Sequence, residues 1–289
     1  MNKYRVEQLA HRLMQHDMIS MHTELPAFPS GRIRLLHAVL SHQPQAARIR
    51  ELLSVVTSLV QVGLDTHDLV ENGEISQKGL PDIRAQQLKV LAGDYFSSRF
   101  YDLLSQAGQI EAVRRLSEAI CDLNQLKMKV YSGMKQLKLS AEEYLQYKAQ
   151  IASGLLLSFT GFMQGLYRRL WPEAVSLFGK CEVLLQELNN TEKAEKLSSS
   201  WGFWHVLQTG SEADRRALAE NRDDQHLLRH FLDQYSVKEK LTVMLRESAL
   251  QLWETAERFP SDKLVKELKG LIDPFFQGCG MEPAAALKK

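Results

Sequence analysis

Two short stretches of the chain hold residue types that could do chemistry together. The first is Leu64-Asp65-Thr66-His67-Asp68-Leu69-Val70-Glu71-Asn72, and the second is Leu91-Ala92-Gly93-Asp94-Tyr95-Phe96. On a helix, residues three and four apart are neighbours, so Asp65, Asp68 and Asn72 share one face. Oxygen ligands in such a row suit a hard divalent cation such as Mg²⁺. The row is incomplete for that purpose. Leu69 cannot coordinate a metal, and Asn72 offers only a neutral carbonyl oxygen. His67 has no evident acid–base partner in the sequence, so packing or hydrogen bonding is its default role. Asp68 and Asp94 read by default as hydrogen-bonded structural carboxylates, and Gly93 as a site of close helix packing. Tyr95, Phe96, Phe100 and Tyr101 read as core or subunit-contact residues.

The elements that carry these residues are expected to be helices. From 45–70 the apolar residues Ile49, Leu52, Leu53, Val56, Leu59, Val60 and Leu64 recur every three or four positions, and Asn72-Gly73 is a plausible stop. A second helix is expected over 82–106, ended by Ala107-Gly108. Ser140-Ala141-Glu142-Glu143 and Ser236-Val237-Lys238-Glu239 both have the pattern of a capping box. Trp171-Pro172 is expected to close one helix and put proline in the first turn of the next. Ser261 is expected to cap the last helix, which should end before Asp273-Pro274. The uncharged run 151–167 is shorter than a typical membrane span and contains several polar residues, which predicts a buried central helix.

No run of alternating residues argues for a sheet. The breaks suggest about ten helices in one all-α domain over 1–278, with a polar tail over 279–289. Residues 189–200 are the candidate flexible connection. Trp201-Gly202-Phe203-Trp204 reads as core packing, with a partner or membrane-surface contact as the alternative.

Composition narrows the function classes. The 36 basic and 35 acidic residues nearly balance, so no basic excess points to nucleic acid. Cys121, Cys181 and Cys279 have no metal-ligand spacing and suggest a reducing, cytoplasmic setting. The N-terminus shows no signal-peptide core. There is no HExxH, glycine-rich phosphate loop, GxSxG elbow or dinucleotide fingerprint.

The two opening stretches resemble the trans-prenyl diphosphate synthases, in which a His-Asp-Asp-x-x-Asp helix precedes an Arg-Arg-Gly-x-Pro loop and a Leu-Ala-Gly-Asp-Tyr helix. His67-Asp68 begins the first element here, and Gln77-Lys78-Gly79-Leu80-Pro81 stands at the arginine loop. More narrowly, Leu-Asp-Thr-His-Asp with Val-Leu-Ala-Gly-Asp-Tyr-Phe-Ser resembles the component I chains of bacterial heptaprenyl diphosphate synthases. The strong part covers 62–104, with weaker similarity to about residue 188. The resemblance implies the helical bundle of isoprenoid synthases.

The resemblance also shows what is missing. Family members ionise an allylic diphosphate and add isopentenyl diphosphate, using Mg²⁺ held by two DDxxD motifs to neutralise the leaving group. The first motif aligns to Asp68-Leu69-Val70-Glu71-Asn72. The second should follow a Phe-Gly pair, for which Phe178-Gly179 is a candidate, and its triplet then falls near Asn190, Thr191 and Ala194. The family's isopentenyl site reduces to Arg34, Lys78 and Lys148, with Gly31, Gln61, Gln77 and Ala149 at its other positions. The resemblance therefore implies a chain with no catalytic residue and no metal ligand of its own. Arg34, Asp68, Lys78 and Lys148 are left as a degraded substrate site. His67, Gly93, Asp94 and Tyr95 form its scaffold.

The implied partner is a catalytic subunit, component II, which carries both DDxxD motifs and binds Mg²⁺. Allylic and isopentenyl diphosphates would be met through the complex, whose product serves menaquinone side chains. A divergent stand-alone prenyltransferase and an isoprenoid carrier are the alternatives. No transmembrane segment is expected, and peripheral membrane contact is left open.

Overall fold

The structure, a computed structural model, describes residues 5–70, 79–222 and 224–281. Among the described residues there are thirteen α-helices and no strand, as the all-α reading predicts. The chain divides into two compact units. One comprises residues 1–118 with 161–164, and the other 119–160 with 165–289.

The first unit holds α1 (Arg5–Met14), α2 (Asp17–His22), α3 (Ser30–Leu40), α4 (Arg50–Asp68), α5 (Leu80–Gln106) and the start of α6 (Ile110–Lys135). In α4 every residue from 53 to 64 is buried. A helix buried all round has no polar face, so its hydroxyls must be satisfied within the helix. Thr57 donates to the Leu53 carbonyl at 2.6 Å, Ser58 to Val55 at 2.6 Å and Thr66 to Val62 at 2.6 Å. Small hydroxyl residues also let neighbours approach.

The α5 helix packs along α4. A Cβ on Gly63 would lie 3.1 Å from the Gly93 carbonyl oxygen and 3.2 Å from the Ser97 hydroxyl, so the two backbones meet where neither glycine carries a side chain. Pro81 sits in the first turn of α5, where its missing N–H costs nothing. At the other end Gly108 takes φ +64, and Gln109 N–H bonds the Leu104 carbonyl at 2.8 Å while Gly108 N–H bonds Ser105 at 3.0 Å. That pair of bonds is the glycine stop expected there.

The second unit continues α6 and adds α7 (Ala141–Leu157), α8 (Gly165–Asn190), α9 (Trp201–Thr209), α10 (Glu212–Glu220), α11 (Gln225–Gln234), α12 (Val237–Glu257) and α13 (Asp262–Gly278). Its spine is α8, packed between α7 and α12. At Gly179 an added Cβ would lie 3.2 Å from the Ala149 carbonyl oxygen, so this glycine again sets a close helix approach. Phe178 beside it is 3% exposed and meets the Phe275 ring edge-on at 5.2 Å. The Ser140 capping box forms as expected. Its hydroxyl accepts from Glu143 N–H at 3.1 Å, and Ser140 N–H bonds the Glu143 carboxylate at 3.0 Å.

Several local expectations fail for tertiary reasons. Pro172 and Pro274 both lie inside helices, α8 and α13. A proline interior to a helix forfeits one bond and costs about 3 kcal/mol in isolation. Here buried residues flank each proline: Leu170, Trp171, Ala174 and Val175 in α8, and Ile272, Phe275 and Phe276 in α13. Trp171 also donates its indole N–H to the Leu156 carbonyl at 3.0 Å. Burial on both sides holds the helix through the defect.

The uncharged run 151–167 is not one helix. The α7 helix stops at Leu157, a 3₁₀ segment spans Ser158–Phe162, and α8 begins at Gly165 with φ +55. Ser236 does not build a capping box. It adopts φ 50, ψ 45 with no side-chain cap, because only Tyr235 and Ser236 separate α11 from α12 and that tight reversal needs left-handed backbone. Ser261 does cap α13, accepting from Leu264 N–H at 3.3 Å. Residues 189–200 are partly helical, with a 3₁₀ turn over Ala194–Ser199 whose Leu197 is fully buried. The proposed stop at Asn72-Gly73 lies outside the described residues.

No described helix is long and apolar enough to cross a membrane.

Candidate functional site

The residues that opened the sequence reading meet at the end of α4 and the middle of α5. Helical spacing turns Ala92 and Phe96 into the core with Val55, Leu59 and Val62, and both are fully buried. The same spacing turns Leu91 outward, where it is 61% exposed. Gly93 lies under the His67 ring. A Cβ there would fall 2.5–2.7 Å from three ring atoms, so only glycine admits the imidazole in this position. The ring is held from the side by Asp94, whose Oδ1 is 3.4 Å from His67 Nε2. Tyr95 is half-buried and packs edge-on against Phe96 and His16 at 5.7 Å each. His67, Gly93, Asp94 and Tyr95 are thus one local cluster.

The candidate ligands do not gather in the same way. Asp65 accepts from Gln61 Nε2 at 2.8 Å, so the position aligned with the family histidine holds a carboxylate in place. Asp68 is exposed at the last turn of α4. Lys89 donates to the Leu69 carbonyl at 3.3 Å, closing that helix end. Arg34 is exposed on α3. Lys78, with Glu71, Asn72 and Gln77, lies outside the described residues. Lys148 belongs to the second unit, where its ammonium stands 5.6 Å over the Tyr144 ring.

Where a second acidic motif would stand, α8 ends at Asn190, and Thr191 turns its hydroxyl to the Leu188 carbonyl at 2.7 Å. No group of three or more His, Cys, Asp or Glu side chains among the described residues is placed to hold a metal ion. At the positions aligned with the family's acidic triplets, Leu69, Asn190, Thr191 and Ala194 offer no carboxylate, so this chain's own residues do not fit a Mg²⁺ site of that kind.

Sequence reasoning missed a carboxylate. Glu187 on α8 is 4% exposed. Its Oε2 accepts Trp201 N–H at 2.7 Å, and its Oε1 lies 2.9 Å from the Tyr144 hydroxyl, which is also 3.0 Å from the Ser199 carbonyl oxygen. Burial raises the Glu187 pKa above the ordinary carboxylate value, against the opposing pull of its bonds to Trp201 and Tyr144 and of the Lys148 charge. The available signal was a single acidic residue between Leu184 and Leu188 on an apolar helix face.

Nearby, a cleft of about 920 Å³ opens among α7, α8, α9 and α12. Leu145, Ala149, Leu177, Trp201 and Met244 give it apolar walls, with Lys180 and His205 among its polar groups. His205 stacks on Trp201 at 4.7 Å and accepts from Lys240 at 2.8 Å; burial and then the Lys240 charge lower its pKa.

Comparison with known proteins places this geometry. Residues 16–237 match the family described as heptaprenyl diphosphate synthase subunit 1. Component 1 of the heptaprenyl diphosphate synthase of Geobacillus stearothermophilus is 40% identical over 77 residues, which is 27% of this chain and 32% of that one. The match thus spans about a third of that relative's length. Among solved structures, geranylgeranyl pyrophosphate synthase from Lactobacillus brevis superposes with TM-score 0.76 at 13% identity, covering 95% of each chain. Heptaprenyl diphosphate synthase from Staphylococcus aureus gives 0.73 at 12% identity, covering 95% of this chain and 98% of that one. At such identities the likeness carries the fold alone, and the fold is that of the trans-prenyl synthases.

Proposed function

The chain belongs to the heptaprenyl diphosphate synthase subunit 1 family, and we propose that it is the non-catalytic subunit of a two-component synthase. In this reading the partner carries both DDxxD motifs, binds Mg²⁺ and performs the condensation of allylic and isopentenyl diphosphates. The product is a heptaprenyl diphosphate destined for menaquinone side chains. This chain completes the complex and shapes the space that the growing apolar product occupies.

The observation that carries the reading is how the segment 91–96 is placed on α5. Its inward residues, Ala92 and Phe96, are core, and its outward carboxylate, Asp94, is turned to His67. Among the residues that the helix exposes are large apolar ones. Leu80 is 71% exposed and Leu91 61%, with Tyr101 also exposed further along α5. Burying such side chains at an interface is worth about 1.5–3 kcal/mol each.

The purified chain, given Mg²⁺, farnesyl diphosphate and labelled isopentenyl diphosphate, is expected to form no product. Product is expected once a DDxxD-bearing chain from the same host is added. Turnover by the chain alone would sink the reading and favour a stand-alone prenyltransferase. The cleft in the second unit supports a second reading, an isoprenoid carrier. Purification from the native host separates the two, because a carrier needs no synthase chain to accompany it.

A further inference from the structure

Glu187 makes two short contacts, its partner Tyr144 makes a third, and the count of their protons bears on its charge. The Ser199 carbonyl oxygen can only accept, so its 3.0 Å contact uses the single proton of the Tyr144 hydroxyl. The 2.9 Å contact between Tyr144 and Glu187 Oε1 then has no phenolic proton left. If Glu187 were ionised, Tyr144 would donate to it, and the 3.0 Å contact with the Ser199 carbonyl would set acceptor against acceptor in a part-buried place. A protonated Glu187 resolves the count. Its O–H donates to Tyr144, Tyr144 donates to Ser199, and Oε2 still accepts Trp201 N–H at 2.7 Å.

We infer that Glu187 is a neutral carboxylic acid in the folded chain, and that this proton-dependent chain of bonds pins α9, one wall of the cleft, to α7 and α8. The other end of α9 is tied separately, where the Gln208 side chain accepts Ala141 N–H at 3.0 Å. Between these ties α9 supplies Trp201, His205 and Gln208 to the cleft. Losing the proton costs the Tyr144–Ser199 bond and puts a charge in a buried place while the Trp201 and Gln208 bonds remain, so the cleft wall is weakened at one end.

The surroundings agree. Burial raises the carboxyl pKa, and burial is also the largest cause that holds the Tyr144 phenol far above its usual range, so the phenol keeps its proton. Lys148 on α7 is the charged group that opposes this, favouring the carboxylate. From the 3₁₀ turn and from α9 the site receives backbone groups, the Ser199 carbonyl and the Trp201 N–H. A carboxyl whose folded-state pKa lies above its ordinary 4.5 contributes stability that is complete below the unfolded-state value. That contribution is lost as pH rises through the folded-state value.

The test uses the full chain labelled with ¹³C at the glutamate carboxyl carbons. One carboxyl signal, identified by its loss in Glu187→Gln, should stay protonated after the exposed glutamates have ionised. Between the ordinary glutamate value and its own raised pKa, exchange protection of the Trp201 amide, corrected for base catalysis, should fall by up to about tenfold per pH unit, the effect of one linked proton, and level off above it. Glu187→Gln should hold α9 without that pH step, because its amide can donate to Tyr144 and accept from Trp201. If Glu187→Gln fails to fold, the wild-type titration decides alone. A set of glutamate carboxyls that all titrate in the ordinary range overturns the inference.

Discussion

Two regions of this chain carry carboxylates that invite a chemical reading, and the structure treats them in opposite ways. At the α4–α5 contact, Asp94 and His67 face each other across 3.4 Å with side chains 66% and 36% exposed. In the second unit, Glu187 is buried and makes contacts of 2.7 and 2.9 Å. The first region bears the recognisable pattern and lies partly open to solvent. The second has no pattern at all, yet its environment determines a protonation state. Family motifs mark where a fold once placed, or elsewhere still places, its chemistry. Burial and proton counting mark where a side chain is energetically committed in this particular molecule.

The sharpest way to break that contrast is to remove both carboxylates. Glu187→Ala leaves the Trp201 N–H without its acceptor and opens a hole in a buried network, so unfolding stability is expected to fall by about 3 kcal/mol in denaturant titrations. A loss below about 1 kcal/mol would place Glu187 on the same footing as Asp94. The next largest effect tests the outward face of α5. Leu91→Asp puts a charge where an apolar side chain would be covered, and should weaken association with a catalytic partner by about 2 kcal/mol, roughly thirtyfold in Kd. The fold should be unaffected, since Leu91 is mostly exposed.

Gly93→Ala is expected to cost about 1–2 kcal/mol, because the new methyl must displace the His67 ring. His67→Ala in the same chain should recover most of that loss. A double-mutant cycle with no coupling would show that the ring is not what Gly93 accommodates. The smallest effect belongs to the exposed pair. Asp94→Ala should change stability by less than about 0.5 kcal/mol, and less still at high salt.

Much of the local architecture was legible beforehand. The apolar period placed α4, and Gly108 and Ser140 ended and began helices as their side chains and backbone freedom require. The prolines misled because their local preference costs a few kcal/mol at most, and a helix flanked by buried residues such as Trp171 or Phe276 outweighs that. Ser236 misled because the two-residue reversal between α11 and α12 takes its backbone left-handed and out of capping geometry. At the site, the inward and outward sides of Leu91-Ala92-Gly93-Asp94 were not readable, because helical phase relative to the core depends on partners distant in sequence. The Glu187 network was hidden for the same reason, since Tyr144 and Trp201 lie 43 and 14 residues away.

The sequence alone determined the all-α class, the family, and the loss of every acidic residue but Asp68 at the aligned metal positions, since residue identity and short-range spacing are enough for each. Tertiary structure alone decided that Gly93 is the floor for an imidazole, that Asp94 answers His67, and that a lone glutamate on an apolar helix face becomes a buried hydrogen-bonding hub. Those outcomes depend on which distant groups reach hydrogen-bonding distance and on how much water is excluded around them. Neither quantity is written in any local stretch of the chain.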